Sequence, residues 1–264
     1  MTRQDRQGSG IGLRLFGAIV VFFLLLPIAV AVVMAFSSGE RLAFPPAGYS
    51  LRWFRAVLES ATLMEGLRLS AIIAVTSAAL ATVAGTAAAI ALNHYRFSGR
   101  VAVQALVMLP LALPAIVLGL GMLFSLPMFG LKVGPVPAIL GHAVLGIPYV
   151  VAMVLASLAN FDRSLERASL NLGVGPVQTF FRITLPHIRI GVLAGAIAAF
   201  LLSLDNISLS IFVTRNDTLP LRLMQHMLSY ADPSIAAMST VLLVASLGLL
   251  LFLLPFATGR HPHR

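Results

Sequence analysis

Six stretches of the chain hold apolar residues almost without interruption: roughly 13–36, 67–92, 101–125, 136–158, 190–213 and 235–256. At a rise of about 1.5 Å per residue, each is long enough to cross a hydrocarbon layer about 30 Å thick. In lipid, only helices and closed barrels satisfy their own backbone hydrogen bonds. Barrel strands alternate apolar and polar residues over about ten positions. These runs do not alternate, so six transmembrane helices are predicted. The first has features of a secretory leader: Arg3, Arg6 and Arg14 lie at its start, and Ala29-Val30-Ala31 has the small-residue pattern of a cleavage site. Its apolar run continues to Phe36 with no polar segment before that point, so an uncleaved helix is predicted.

Two of the intervening segments are long enough to hold structure. In 37–66, the turn-rich Pro45-Pro46-Ala47-Gly48 precedes Leu51, Phe54, Leu58 and Ala61, spaced 3, 4 and 3 apart. That spacing predicts a short amphipathic helix, and Tyr49 and Trp53 suit the membrane interface. The segment 159–189 carries more information. Asp162 suits the start of a helix, Leu165, Ala168 and Leu172 form one apolar stripe, and Gly173 suits the left-handed residue that ends a helix. Gly175-Pro176 then opens a second short helix, since proline is tolerated at a first helical position. Val177, Phe180 and Phe181 give that helix an apolar side, and Pro186 lies beyond it. A helix, a sharp bend and a second helix are predicted. Phenylalanines on such a projection need a cover, either the protein's own helix ends or a partner.

Composition agrees with the pattern. The chain has 264 residues, 59% hydrophobic and 10% charged, with a mean hydropathy of +0.96. Soluble domains average about 25% charged residues, so a soluble globular protein and a disordered one are both excluded. There is no cysteine, which excludes disulfides, thiolate chemistry and cysteine-bound metals. The formal net charge is +9. In a membrane protein this charge first reports sidedness, and nucleic acid is not an expected partner. Arg3, Arg6, Arg14, Arg96, Arg100, Arg163, Arg167, Arg182, Arg189, Arg260 and Arg264 fall on one side, and Arg41, Arg52, Arg55, Arg68, Lys132, Arg215 and Arg222 on the other. The positive-inside rule then places both termini and the second and fourth loops, the latter being 159–189, in the cytoplasm.

Chemistry is sparse. The chain has no Walker-type phosphate loop, and Lys132 is its only lysine. It has no Ser-His-Asp arrangement and no His-Glu-x-x-His. His94, His142, His187, His226, His261 and His263 are scattered, and none is read as a metal ligand. Ala74 and Ala78, and likewise Ala81, Gly85 and Ala89, repeat at four-residue spacing, which favours close helix approach. Pro110, Pro114, Gly119 and Gly121 break or bend the third span. Asp205 is the only acid inside a span, about 24 Å along a helix from Arg189. An acid there either faces a solute pathway and attracts a cation, or holds a neighbouring helix end together with Ser203, Asn206 and Ser208.

The segment 159–189 resembles the cytoplasmic loop of permease subunits of bacterial ABC importers of the first type. That motif runs Glu-Ala-Ala, three residues, Gly, nine residues, Ile-x-Leu-Pro. Here Gly173 is followed after nine residues by Ile183-Thr184-Leu185-Pro186. The Glu-Ala-Ala positions fall on Arg167, Ala168 and Ser169, with Glu166 one place early. Ser203-Leu204-Asp205-Asn206 and Thr218-Leu219-Pro220-Leu221-Arg222 look like the second permease of spermidine/putrescine-type systems. The resemblance covers the chain from about residue 65 onward.

The resemblance implies an all-α membrane protein of six transmembrane helices, with a helix-turn-helix coupling loop between the fourth and fifth. The division it implies is an N-terminal helix with a periplasmic amphipathic segment over 1–64, an importer transmembrane domain over 65–256, and a tail over 257–264. It implies a permease that hydrolyses nothing and binds no cofactor itself, while a dimer of ATP-binding subunits consumes ATP. A second, homologous permease would complete the pathway, and a periplasmic or lipid-anchored binding protein would deliver a polyamine or related small organic solute. Glu166, Arg167, Ala168, Gly173, Ile183, Leu185 and Pro186 would belong to the coupling loop, and Ser203, Asp205 and Asn206 to the pathway. A self-sufficient secondary transporter is the alternative; it would need inverted repeats and buried coupling charges, and no clear repeat is visible.

Overall fold

A computed structural model of the chain describes residues 5–215, 217–230 and 232–257, with side chains from 12 to 252. Arg3, Arg6, Arg260, Arg264, His261 and His263 therefore lie outside the described side chains. The described residues form helices α1 (Asp5–Ala35), α2 (Arg52–Glu59), α3 (Ala61–His94), α4 (Arg100–Ala112), α5 (Ala115–Ser125), α6 (Pro135–Leu158), α7 (Ser164–Asn171), α8 (Pro176–Thr179), α9 (Leu185–Leu204), α10 (Ile207–Val213), α11 (Leu219–Ser229) and α12 (Ser234–Ala257). Among the described residues, five helical stretches are long and apolar enough to cross a membrane, and the bent pair α4 and α5 makes a sixth. The chain divides into two compact units, Met1–Ala61 with Gln225–Ala245 and Thr62–Met224 with Ser246–Arg264.

The larger unit is built on α3, α6 and α9. Ala78, Ala81, Ala89 and Leu92 of α3 meet Val150, Val151, Val154 and Leu158 of α6 and Ile188 and Ala199 of α9 in one buried cluster. Small residues allow this approach, as their spacing predicts. A Cβ on Gly195 would lie 2.7 Å from the Val150 Cα, and one on Gly85 would lie 2.7 Å from the Val150 Cβ. A second cluster joins Ile73 of α3, Ala138 and Leu145 of α6, and Leu209 and Val213 of α10, with Leu118 and Met122 of α5 against it.

Two predicted spans are broken. The third bends by 104° between α4 and α5. Pro114 supplies no N–H and holds Leu113 extended (φ −93°, ψ 134°), so the break falls there and α4 continues through Pro110. The fifth does not run from 190 to 213 as one helix. It ends at Leu204, and Asp205-Asn206 separate α9 from α10. Asn206 is extended, and its Oδ1 accepts from the Leu209 N–H at 2.9 Å. That side-chain cap starts a new helix where sequence pattern predicted a continuation. α5 and α10, the short halves, pack extensively on one another.

In the smaller unit, Phe36 and Phe54 rings lie 5.0 Å apart, and Ser38 N–H donates to the Gly48 carbonyl at 2.9 Å. The Arg52 guanidinium and Trp53 Nε1 both donate to the Gly39 carbonyl, at 2.6 and 3.2 Å, and the guanidinium lies 4.6 Å from the Trp53 ring centroid. The predicted amphipathic helix exists as α2, but its buried side is Val57 with half-buried Trp53 and Phe54, while Leu51 and Leu58 are exposed. The Phe36–Phe54 contact and the Gly39 carbonyl set that rotation. α3 begins at Ala61, six residues before the predicted start.

Candidate functional site

Two places concentrate polar side chains in the larger unit: the loop after α6, and the break between α9 and α10. In the loop, the Asp162 carboxylate accepts from the Ser164 N–H at 2.8 Å and from its hydroxyl at 2.7 Å. These two bonds, the hydroxyl first, hold the Asp162 carboxyl below its ordinary value. α7 follows at once. It ends in a paired motif: the Gly173 N–H donates to the Leu170 carbonyl at 3.0 Å, and the Val174 N–H to the Ser169 carbonyl at 3.2 Å. This geometry requires a left-handed residue, and Gly173 has φ +81°. A buried bond between the Ser169 and Thr179 hydroxyls, 2.9 Å long, fixes α7 against α8.

The second helix of the loop is not separate. From Pro176 the chain runs unbroken to Leu204, through a π-helical turn over Phe180–Thr184 in which the Leu185 N–H reaches the Phe180 carbonyl. Sequence pattern predicted a stop before Pro186. The wider turn lies directly ahead of this proline, which takes the first turn of α9, where a missing N–H costs least.

The predicted loop residues divide by exposure. Glu166 is half-buried: both its oxygens meet His94 Nε2, at 2.7 and 3.0 Å, and one accepts from the Thr184 hydroxyl. Arg167, Ala168, Gly173 and Pro186 are exposed, and Ile183 and Leu185 are half-buried. The predicted apolar residues of the two helices are largely uncovered among the described residues: Leu172 is 83% exposed, Val177 70% and Phe181 60%, while Phe180 is half-buried.

At the break, four helices share a chain of hydrogen bonds. The Ser210 hydroxyl donates to the Asn206 carbonyl at 2.6 Å, so it accepts from His142 Nε2 at 3.0 Å. His142 Nδ1 then accepts from the Ser203 hydroxyl at 2.6 Å, and Ser203 accepts from Ser77 at 3.0 Å. These roles correspond to the imidazole tautomer with its proton on Nε2, assigned from the bonding pattern. The chain joins α3, α6, α9 and α10. The three predicted pathway residues therefore have different surroundings. Ser203 is buried within this chain of bonds, Asn206 caps α10, and Asp205 is exposed at the end of α9. Asp205 makes no hydrogen bond to Ser203, Asn206 or Ser208 among the described residues.

The sequence reading missed His142 and His94. His142 lies inside the predicted span 136–158, where an ionisable residue is itself a signal, whereas His94 lies two residues past the span 67–92 and carries no such signal. Among the described residues, no three potential ligands cluster as a metal site.

The model of the binding-protein-dependent transport system inner membrane component family matches residues 81–258. The chain belongs to that family. The permease is 30% identical to the spermidine/putrescine transport system permease protein PotC of Haemophilus influenzae over 236 residues, 89% of this chain and 91% of that one. It is 32% identical to the putrescine transport system permease protein PotI of Escherichia coli, over 84% of this chain and 82% of that one. Among solved structures, a chain of a bacterial ABC transporter involved in import of the acidic polysaccharide alginate superposes with a TM-score of 0.70 at 15% identity, covering 98% of the permease and 99% of that chain. The chain is thus an inner-membrane permease subunit of an ATP-driven importer, with ATP hydrolysis assigned to a separate subunit. The secondary-transporter alternative falls with this membership.

Proposed function

We propose that this permease forms half of the pathway of an importer for putrescine, spermidine or a related small organic cation. Its relatedness to two polyamine permeases along most of its length carries the reading. The exposed Asp205 at the helix break agrees with it, since an unpaired carboxylate beside a water-filled path attracts an ammonium. A second, homologous permease completes the pathway, and a periplasmic or lipid-anchored binding protein delivers the solute. The chain itself holds no cofactor. Two ATP-binding subunits dock on the loops, one receiving the projection formed by α7 and α8. Uncovered Leu172, Val177 and Phe181, flanked by Arg167, supply the apolar knob and charge that such a partner would bury. Docking from the cytoplasm accords with both termini lying there, the side that the arginine distribution favours.

The test is ATP-dependent uptake into proteoliposomes carrying the complete complex and its binding protein. Saturable uptake of labelled putrescine or spermidine, competed by the other polyamine and not by sulfate, is expected. Uptake of an anion with no uptake of either polyamine would overturn the substrate assignment and leave the family membership standing.

A further inference from the structure

We infer that His94 is a positioning residue that clamps the coupling loop to α3, so that movement of the loop is carried along α3 to the break beside Asp205. This inference rests on the loop being the docking element for the ATP-binding subunit.

α3 ends at His94, in the turn where helix carbonyls lack partners and a basic group is favoured. The loop lies 72 residues further along the chain, and its Glu166 meets this histidine through both carboxylate oxygens, at 2.7 and 3.0 Å. Thr184, from the π-helical turn, donates to the same carboxylate. Arg163 adds a second tie, donating to the His94 carbonyl at 3.3 Å. Three segments therefore converge on one carboxylate. The His94 and Glu166 side chains are each 14% exposed, so the pair is shielded from water, where charge-assisted bonds are stronger.

The position of the acid explains the sequence. At the place where the family motif has its Glu, this chain has exposed Arg167, and Glu166, one residue earlier, is turned inward to His94. The charged group facing a partner and the group facing α3 are thus adjacent residues on different sides of α7. The other end of the connection is Ser77, 17 residues before His94 on the same helix, or about 26 Å away. Ser77 donates to Ser203, next to the α9–α10 break. One unbroken helix therefore bonds to the loop at its end and to the break in its middle. Close packing of α3 on α6 through small residues makes that helix a stiff element rather than a soft one.

The chain contains no cysteine, so spin labels can be placed at will. The experiment uses the complete complex with Asn171→Cys on α7 and Val83→Cys on α3, both labelled, and measures their separation with and without ATP. In the otherwise native chain, one narrow distance that is unchanged by ATP is expected, because loop and helix move together. His94→Ala should broaden that distribution and make it respond to ATP, while the ATP-binding subunit is retained in normal amount and basal ATPase persists. ATP-driven uptake of putrescine by His94→Ala should fall about tenfold. His94→Arg should restore both readouts, since a guanidinium pairs with the Glu166 carboxylate through two bonds. A residue that only supports the fold would alter protein yield without separating loop motion from helix motion. An unchanged distribution in His94→Ala overturns the inference, as does failure of Arg to restore it, or loss of the ATP-binding subunit from His94→Ala. Normal co-purification in Gly173→Val would instead overturn the docking reading. Absence of putrescine uptake in the unmutated complex would overturn only the substrate assignment, because the distance comparison does not depend on solute.

Discussion

Gly173→Val tests the docking reading where backbone geometry is most exacting. Gly173 lies at φ +81°, and a Cβ there would meet nothing within 4 Å. The cost of any side chain is therefore conformational and not a clash. An L-residue in the left-handed region costs about 1–2 kcal/mol, and a β-branched residue there stands toward the upper end of the about 1–3 kcal/mol of such strain. The bend is held by the Gly173 and Val174 amide bonds and by the Ser169–Thr179 hydroxyl pair. At about 0.5–1.5 kcal/mol each, these three contribute about 1.5–4.5 kcal/mol together. Alanine, at about 1 kcal/mol, leaves most loops bent. Valine, at about 2–3 kcal/mol, lowers the ratio of bent to unbent loops by about 30-fold or more, since 1.4 kcal/mol is a factor of about ten. The spans are held by their own packing and by lipid, so membrane insertion should be unaffected. Normal amounts of Gly173→Val protein are expected, with the ATP-binding subunit largely lost on purification and no stimulation of ATP hydrolysis by loaded binding protein. Gly173→Ala should retain most of both. If Gly173→Val co-purifies and is stimulated like the native chain, the bend does not set docking, and the reasoning is refuted.

Two further predictions concern the membrane-embedded part. Asp205→Asn should leave the amount of folded complex within about 0.5 kcal/mol of native stability, because no hydrogen bond is lost among the described residues, while raising the KM for putrescine uptake; reduced abundance with normal uptake per molecule would assign Asp205 a structural role instead. Gly195→Ala brings a Cβ to 2.7 Å from the Val150 backbone and should destabilise the α6–α9 contact by about 1–3 kcal/mol, whereas Gly248→Ala, with open space around it, should be neutral in a detergent thermal melt; equal melting of the two would refute the close-packing account.

The segments that follow a local rule were legible in the sequence. Long apolar runs marked the spans, four-residue alanine and glycine spacing marked the α3 face that packs on α6, and Gly173 marked the end of α7 because few residues accept positive φ. Pro114 marked a bend but not its size, which depends on how α5 is taken up by α10. The α9–α10 break escaped because hydropathy does not register it: Leu204 and Ile207 flank two polar residues in an otherwise apolar run, and only the Asn206 cap distinguishes a new helix from a continued one. Pro186 misled in the opposite direction, since the π-helical turn before it lets the helix continue. The clamp of Glu166 on His94 joins residues 72 apart, and no periodicity encodes such a pairing.

The two breaks become intelligible when taken together. A helix interrupted inside a membrane leaves backbone groups without partners, and lipid cannot supply them. At Asn206, the side chain satisfies the Leu209 N–H, and its own carbonyl accepts the Ser210 hydroxyl. The Gly134 N–H, at the start of α6, takes the Val213 carbonyl at the end of α10, at 2.7 Å. Both ends of this seven-residue helix are therefore bonded to protein. The side carrying Leu209, Ser210 and Val213 is covered by α5, itself one half of the bent third span, and by α6, while Ser208 and Ile211 are exposed. His142 completes the arrangement from α6, bonding to one serine on each side of the break. The two half-helices therefore pack on each other and on α6. What the interruption gains is a non-helical pair, Asp205-Asn206, placed between two anchored helices with the carboxylate left exposed. In a continuous helix the Leu209 N–H would be committed to the Asp205 carbonyl, and Asn206 would have no N–H to cap.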